Sequence, residues 1–432
     1  MSILYFALFL LLAYFFQKNF EKTLICYAPF KLIVHKGIYL FDSAFAINLD
    51  LAITSFAFLI FIINRYKYRK IRLPNTLVVT SIIFVLGEFI AGMNPRFVPN
   101  IFFYEPVCSI LYLYMLFKII RYPKQIKLLI RYLIIVAFIL VFDALFDVLT
   151  GYNPITALEE SQAGPRFWVS HNDIMRAGIS RTTSFMPHSI AMGTVASLIW
   201  GLLLALLLKY PSYYTSNTKV IYAILLLPLC VIFANSRTSI LISLCFLPLL
   251  FSRKVFFTRR LFLILIVISI CFFFFQDYFD WFYNSIFNES KVEVAGSSTD
   301  LRKRQLEVAL FYFSKKPIFG QGADFNVLLF ESEKDVMGME SLWFQLLMFQ
   351  GLVGLCTYLQ FFVVTAYHSL YTNKIFILFT VAWLVSVTLS SQVGVSILLY
   401  GLIFLINYKI HIFNLANNKF YGSNVIYNNT DV

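Results

Sequence analysis

The sequence predicts an all-α integral membrane protein of about twelve transmembrane helices, with one large helical loop on the outer side between helices 9 and 10. Three observations predict it. Hydrophobic residues make up 60% of the 432-residue chain and charged residues only 13%, against about 25% charged in a soluble globule. Apolar runs near the ~20 residues that cross hydrocarbon recur from end to end. The basic residues collect in alternate loops between those runs. A formal net charge of +13 would point to nucleic acid in a soluble protein, but here it is explained by topology, and no nucleic-acid partner is expected.

The runs lie at about 3–16, 47–64, 74–91, 101–119, 132–149, 185–208, 219–234, 239–252, 261–276, 342–366, 375–390 and 393–408. The first, ILYFALFLLLAYFF, lacks a basic flank before it and a small-residue cleavage site after it, so it reads as a retained span. Pairing the runs places Arg65, Lys67, Arg69, Lys70 and Arg72 on one side, together with Lys118, Arg121, Lys124, Lys127 and Arg131, and with Arg253, Lys254, Arg259 and Arg260. That side is expected to be cytoplasmic, with both ends of the chain on it. The segment from Gln17 to Ala46 resists the scheme, because Lys18, Lys22, Lys31 and Lys36 would lie outside; a re-entrant or interfacial segment is one resolution.

The acids inside the apolar runs, Asp50, Glu88, Asp143 and Asp147, each fall near a predicted outer helix end, and Asp143 and Asp147 share a helix face. They either line an outward vestibule or pair structurally. Cysteines 230, 245, 271 and 356 sit in apolar runs as small hydrophobes, and a disulfide between Cys26 and Cys108 is open. No spacing suggests a metal site or a cofactor.

The chain divides into membrane helices over 1–276, with a smaller outer loop at about 151–181, a large outer loop over 277–340, membrane helices over 341–408 and a tail over 409–432. The large loop opens with QDYFDWFY, whose Tyr278, Trp281 and Tyr283 suit a membrane surface. Farther on, Ser297 to Asp300 offer helix caps, Leu306, Ala309, Leu310 and Phe313 recur at helical spacing, and Pro317 and Gly320 end the helix. Arg302 extends the stripe, whereas Arg304 is rotated away by about 200°.

An arginine at the mouth of a membrane cavity suits a phosphate, because its guanidinium is planar, always charged and bidentate. Arg237, in ANSRTS, occupies a short outer turn, and Arg181, in ISRTTSFMPHS, immediately precedes a span. The alternative for each is pairing with an acid such as Asp143 or with lipid phosphate.

The order SRTTSFMPHSIAMG, ANSRTSIL, LRKRQLEVALFYFSKKPIFGQG and ESLWFQLLMFQGLVG resembles the O-antigen polymerase and O-antigen ligase superfamily. In that family an SR-T turn is followed by an arginine about fifteen residues before P-x-x-G-x-G, and then by a helix ending in G-x-x-G. Arg302, Pro317, Gly320, Gly322, Gly351 and Gly354 match that layout. The resemblance implies a GT-C-like glycosyltransferase of the inner membrane acting on undecaprenyl-pyrophosphate-linked oligosaccharide at the periplasmic face. Its partners would be membrane lipid and the chain-length regulator and flippase of the same pathway. Ligases of the superfamily carry a histidine where the loop meets the membrane. Here Glu340 matches that position and no histidine lies between His188 and His368, which favours a polymerase over a ligase.

On this reading Arg302, Arg237 and Arg181 stabilise the pyrophosphate as charge develops, and Glu340 accepts the proton of the attacking hydroxyl. His188 is the second candidate base. Gly320 and Gly322 either allow a tight turn beside substrate or form a loop corner. A flippase is the competing class, but it would show two related halves and a charged path across the membrane.

Overall fold

The computed structural model describes residues 2–34, 39–41, 47–68, 73–92, 101–154, 175–176, 179–186, 188–214, 217–250, 299–322, 339–390 and 393–427, with Phe325, Leu329, Glu333 and Val336. The predicted span at 261–276, the aromatic run from Asp277 and the loop residues Arg166, His171 and Asp173 lie outside them.

The described chain is helical. Its elements are α1 (Ser2–Lys18), α2 (Phe20–Phe30), α3 (Leu49–Ile63), α4 (Asn75–Gly92), α5 (Ile101–Ile119), α6 (Pro123–Thr150), α7 (Ser189–Lys209), α8 (Asn217–Phe233), α9 (Arg237–Leu244) and α10 (Leu247–Leu250). After them come α11 (Thr299–Lys315), α12 (Leu342–Gln345), a π-helical turn (Leu346–Gln350), α13 (Gly351–Thr372), α14 (Ile377–Leu389) and α15 (Val393–Tyr427). Two short antiparallel ribbons interrupt them, β1 (Tyr39–Phe41) with β2 (Ile47–Asn48) and β3 (Met175–Arg176) with β4 (Ile179–Ser180). Among the described residues, four stretches are long and apolar enough to cross a membrane: Pro123–Thr150, Ser189–Lys209, Leu342–Thr372 and Ile397–Leu415. Shorter apolar helices stand at the other predicted positions inside the described residues.

Local chemistry sets several boundaries. Asn48 caps α3 by accepting from the Leu51 amide at 2.8 Å. Pro123 opens α6, where its missing N–H costs nothing, and Gly151 closes it at φ 64°. The axis of the bundle is α7, buried along almost its whole length. Helix packing without a hydrophobic drive uses small residues and hydroxyls, and α7 does so against α9. A Cβ on Gly193 would lie 2.1 Å from Ser239 Oγ, and Ser197 Oγ lies 2.9 Å from the Ser239 carbonyl and 2.8 Å from Ser243 Oγ.

The amino-terminal expectation is corrected. Only Asn19 separates α1 from α2, and Glu21 in the first turn of α2 pairs with Lys67 at 2.9 Å. That hydrogen bond raises the Lys67 pKa above its ordinary value. Arg121 in turn donates to the Lys67 carbonyl. The α1–α2 junction therefore sits at the same basic end as residues 65–68 and 118–131, bringing Lys18 and Lys22 there instead of outside. The start of α1 lies at the opposite end. The segment is hard to place from sequence because α2, with Lys22, Lys31 and a proline inside it or at its ends, is too short and too polar to score as a span. Lys31 follows α2 into the interior and is 1% exposed, with Nζ 2.5 Å from Asp50 and 3.0 Å from Thr54 Oγ1. No disulfide joins Cys26 to Cys108.

Candidate functional site

The loop helix α11 is held against the chain where it returns to the bundle. Its buried face is Gln305, Val308 and Ala309, of which the two apolar residues join Leu329, Val336, Met339, Met348 and Phe349 in a small core of their own. The stripe expected from spacing is corrected, since Leu306 and Leu310 are 38% and 49% exposed. A buried glutamine replaces a leucine at the centre because it has backbone to satisfy. Gln305 Nε2 donates to the Val336 carbonyl at 3.3 Å, and its Oε1 accepts from the Glu340 amide at 3.4 Å. Nothing in the apolar pattern marks Gln305. The one signal is its position about a turn after Arg302 on the same helix.

With the backbone at Glu340 fixed in this way, Arg302 Nη2 lies 3.5 Å from Glu340 Oε2. Both side chains are partly exposed, as groups that must meet a substrate from water would be. Arg304 points elsewhere, to Glu333 at 3.1 Å and Glu307 at 3.8 Å.

Gly320 and Gly322 form part of a seam. The PIFGQG segment lies along the end of the π turn, where Gln321 N donates to Met348 O at 2.8 Å and Gly322 N to Phe349 O at 2.9 Å. Pro317 O and Ile318 O accept from Leu352 N and Val353 N at 2.9 and 3.1 Å. Those carbonyls on the π turn are open because the helix breaks at Gly351, whose φ of 63° and ψ of −152° belong to a region that only glycine occupies readily. A Cβ on Gly320 would meet Phe349 C at 2.4 Å, and one on Gly351 would meet Ile318 O at 2.6 Å. Gly351→Ala is therefore expected to cost at least the ~1–3 kcal/mol of a strained backbone position. Thermal unfolding of the purified variant checks this, and an unchanged midpoint would contradict the seam.

Arg181 and Arg237 lie on two backbone segments that meet at a second locus. Thr182 N donates to Phe233 O at 3.1 Å, laying the segment after β4 against the turn that begins α9. The two turns contain Ser184 at φ 49° and Asn235 at φ 47°, left-handed conformations that cost a residue with a side chain energy. Asp143 and Asp147 hold the first of them. Ser184 Oγ donates to Asp143 at 2.6 Å, Thr182 Oγ1 donates to Asp147, and Asn153 Nδ2 donates to Asp147 at 3.3 Å. Of the two readings of these acids, the structure gives a structural partner to each. Arg181 and Arg237 are both partly buried in this arrangement.

His188 is the N-cap of α7, its Nδ1 accepting from the Ile190 amide at 3.1 Å. The nitrogen used for capping is thus committed, while the residue itself is exposed.

The site so described offers a guanidinium beside a carboxylate where the loop rejoins the bundle, and two further arginines, one opening α9 and one just after β4. No curated protein matches the chain. Residues 221–359 match the family described as O-Antigen ligase (Wzy_C), a stretch that takes in Arg237, Arg302, Gly320, Gly322 and Glu340. That match supports placement within the O-antigen polymerase and ligase superfamily, whose members are membrane enzymes of surface-glycan assembly, and does not separate polymerase from ligase.

Proposed function

We propose that the chain is a polysaccharide polymerase of the bacterial inner membrane, joining undecaprenyl-pyrophosphate-linked repeat units at the periplasmic face. The observation that carries the reading is the Arg302–Glu340 pair, 3.5 Å apart, on a loop stapled to the membrane helix it precedes. A sugar hydroxyl attacks the anomeric carbon of the donor, and its proton passes to the Glu340 carboxylate. The bond from that carbon to the pyrophosphate oxygen breaks, and the charge released on the lipid-borne pyrophosphate is met by Arg302, aided by Arg237 and Arg181. Gly320 and Gly322 act by holding the loop that bears Arg302. A flippase and a chain-length regulator would supply and limit the substrate.

A ligase is the second reading, the activity that the matching family's description names. Glu340, at the position where the resemblance leads one to expect a ligase's histidine, favours the first. Deleting the gene and separating surface glycan and lipid-linked intermediates by size tests both. Loss of the long ladder, with single repeat units still attached to the acceptor, is the expected result. Full-length polymer accumulating on the lipid carrier, with none on the acceptor, would make the protein a ligase.

A further inference from the structure

We propose that Glu88 is a positioning residue for this site: through the Gln350 carboxamide it fixes the π turn from which both Arg302 and Glu340 are hung. The inference rests on the reading of the Arg302–Glu340 pair given above. Glu88 lies on α4, 3% exposed, and a carboxyl group inside a membrane bundle is costly enough that it is kept for a purpose. Its described hydrogen bond comes from Gln350 Nε2, at 3.0 Å to Oε2. Gln350 is the last residue of the π turn, a widened turn of a kind often found at functional sites.

The sequence around Gln350 is built to admit that side chain. A Cβ on Gly354 would lie 2.2 Å from Gln350 Cβ and 2.3 Å from Gln350 Oε1, so the glycine leaves the space that the carboxamide fills. Across the interface, a Cβ on Gly87, the neighbour of Glu88, would lie 2.7 Å from the Thr357 side chain. Helices α4 and α13 thus approach closely around the Glu88–Gln350 bond. In Q-G-x-x-G the first glycine breaks the helix and the second is a socket.

The bond bears on the site through the main chain. The carbonyls of Met348 and Phe349, just before Gln350, hold Gln321 and Gly322 at 2.8 and 2.9 Å. That segment continues from α11, which carries Arg302. In the other direction the π turn and α12 lead directly to Glu340. Turning Gln350 would shift the carbonyls that anchor one member of the pair and the helix that begins beside the other.

The test uses full-length protein and, as substrate, the lipid-linked repeat units extracted from the deletion strain. Glu88→Leu and Gln350→Leu are each expected to lower kcat by about 10- to 100-fold, the scale of a small misplacement, with KM changed less than about twofold. The double variant should be no worse than either single variant, because one bond is lost in all three. Glu88→Gln, whose carboxamide oxygen still accepts from Gln350, should retain at least about half of kcat. Gly354→Ala reaches the same bond without altering Glu88 and should share the kcat loss. Activity of Glu88→Leu within twofold of the unaltered protein while Arg302→Ala loses about 100-fold or more would overturn the positioning role alone. An Arg302→Ala variant that keeps kcat within about tenfold of the unaltered protein would overturn the reading on which it rests. Glu88→Gln as impaired as Glu88→Leu would also overturn the positioning role, since the hydrogen bond would then not be what matters.

Discussion

Arg302→Ala is expected to remove about 10²- to 10³-fold of the turnover, the loss typical when one donor to a developing negative charge is deleted, while the protein still folds and inserts. The separation of activity from stability follows from where Arg302 lies. Its pair with Glu340 is long, at 3.5 Å, with side chains 38% and 30% exposed, and such pairs contribute roughly 0–1 kcal/mol to stability. The helix is held instead by Gln305, Val308 and Ala309 and by the seam at Gly320 and Gly322. Arg302→Lys should recover part of the loss by restoring charge, but not the planar fork that grips two oxygens at once. Glu340→Gln keeps the shape and removes the base, so a loss of about 10²-fold or more in kcat is expected from it. If Arg302→Ala supports a full-length glycan ladder, the pyrophosphate role is wrong. If Glu340→Gln does so while Arg302→Ala does not, the carboxylate serves only to orient the guanidinium.

The membrane class and most helix positions are legible in the sequence because hydrophobic run length is set by bilayer thickness, a constraint that leaves few alternatives. What the pattern misses follows from its own logic. α2 carries too many charges to read as a span, and only the pairing of Lys31 with Asp50 and of Glu21 with Lys67 explains why it is tolerated. On α11 the periodicity identifies a helix but misplaces its face, because Leu306 and Leu310 are turned outward while Gln305 is inside. Composition cannot reveal that a polar residue is buried to satisfy a backbone amide. The different directions of Arg302 and Arg304 are legible because they depend only on the helix that carries both. The motif glycines are visible as letters, but the physical demand on each, a helix break at Gly351 and space for a carboxamide at Gly354, depends on neighbours supplied by α4 and by the loop.

Lys31→Met alone is expected to destabilise the amino-terminal bundle by about 3–5 kcal/mol, because it strands the carboxylate of Asp50 in the interior. In the intact protein Lys31 meets both Asp50 oxygens at 2.5 Å, Thr54 Oγ1 at 3.0 Å and the face of the Tyr112 ring at 5.3 Å. Tyr112 is in turn anchored by its hydroxyl to the Leu24 carbonyl at 2.6 Å, so the cluster joins α2, α3 and α5. Removing both charges is a different experiment. Lys31→Met with Asp50→Leu leaves no uncompensated ion, and replacing a buried ion pair by apolar groups of similar volume is often neutral or stabilising. The double variant should therefore recover most of the stability lost by the single one, measured as the midpoint of thermal unfolding in detergent. Recovery would mean that the pair serves to let a charged segment pass through the bundle. A double variant as unstable as Lys31→Met would mean that the ions themselves fix how α2 and α3 meet, and glycan length measured in the same variants would then show whether that geometry reaches the Arg302–Glu340 site.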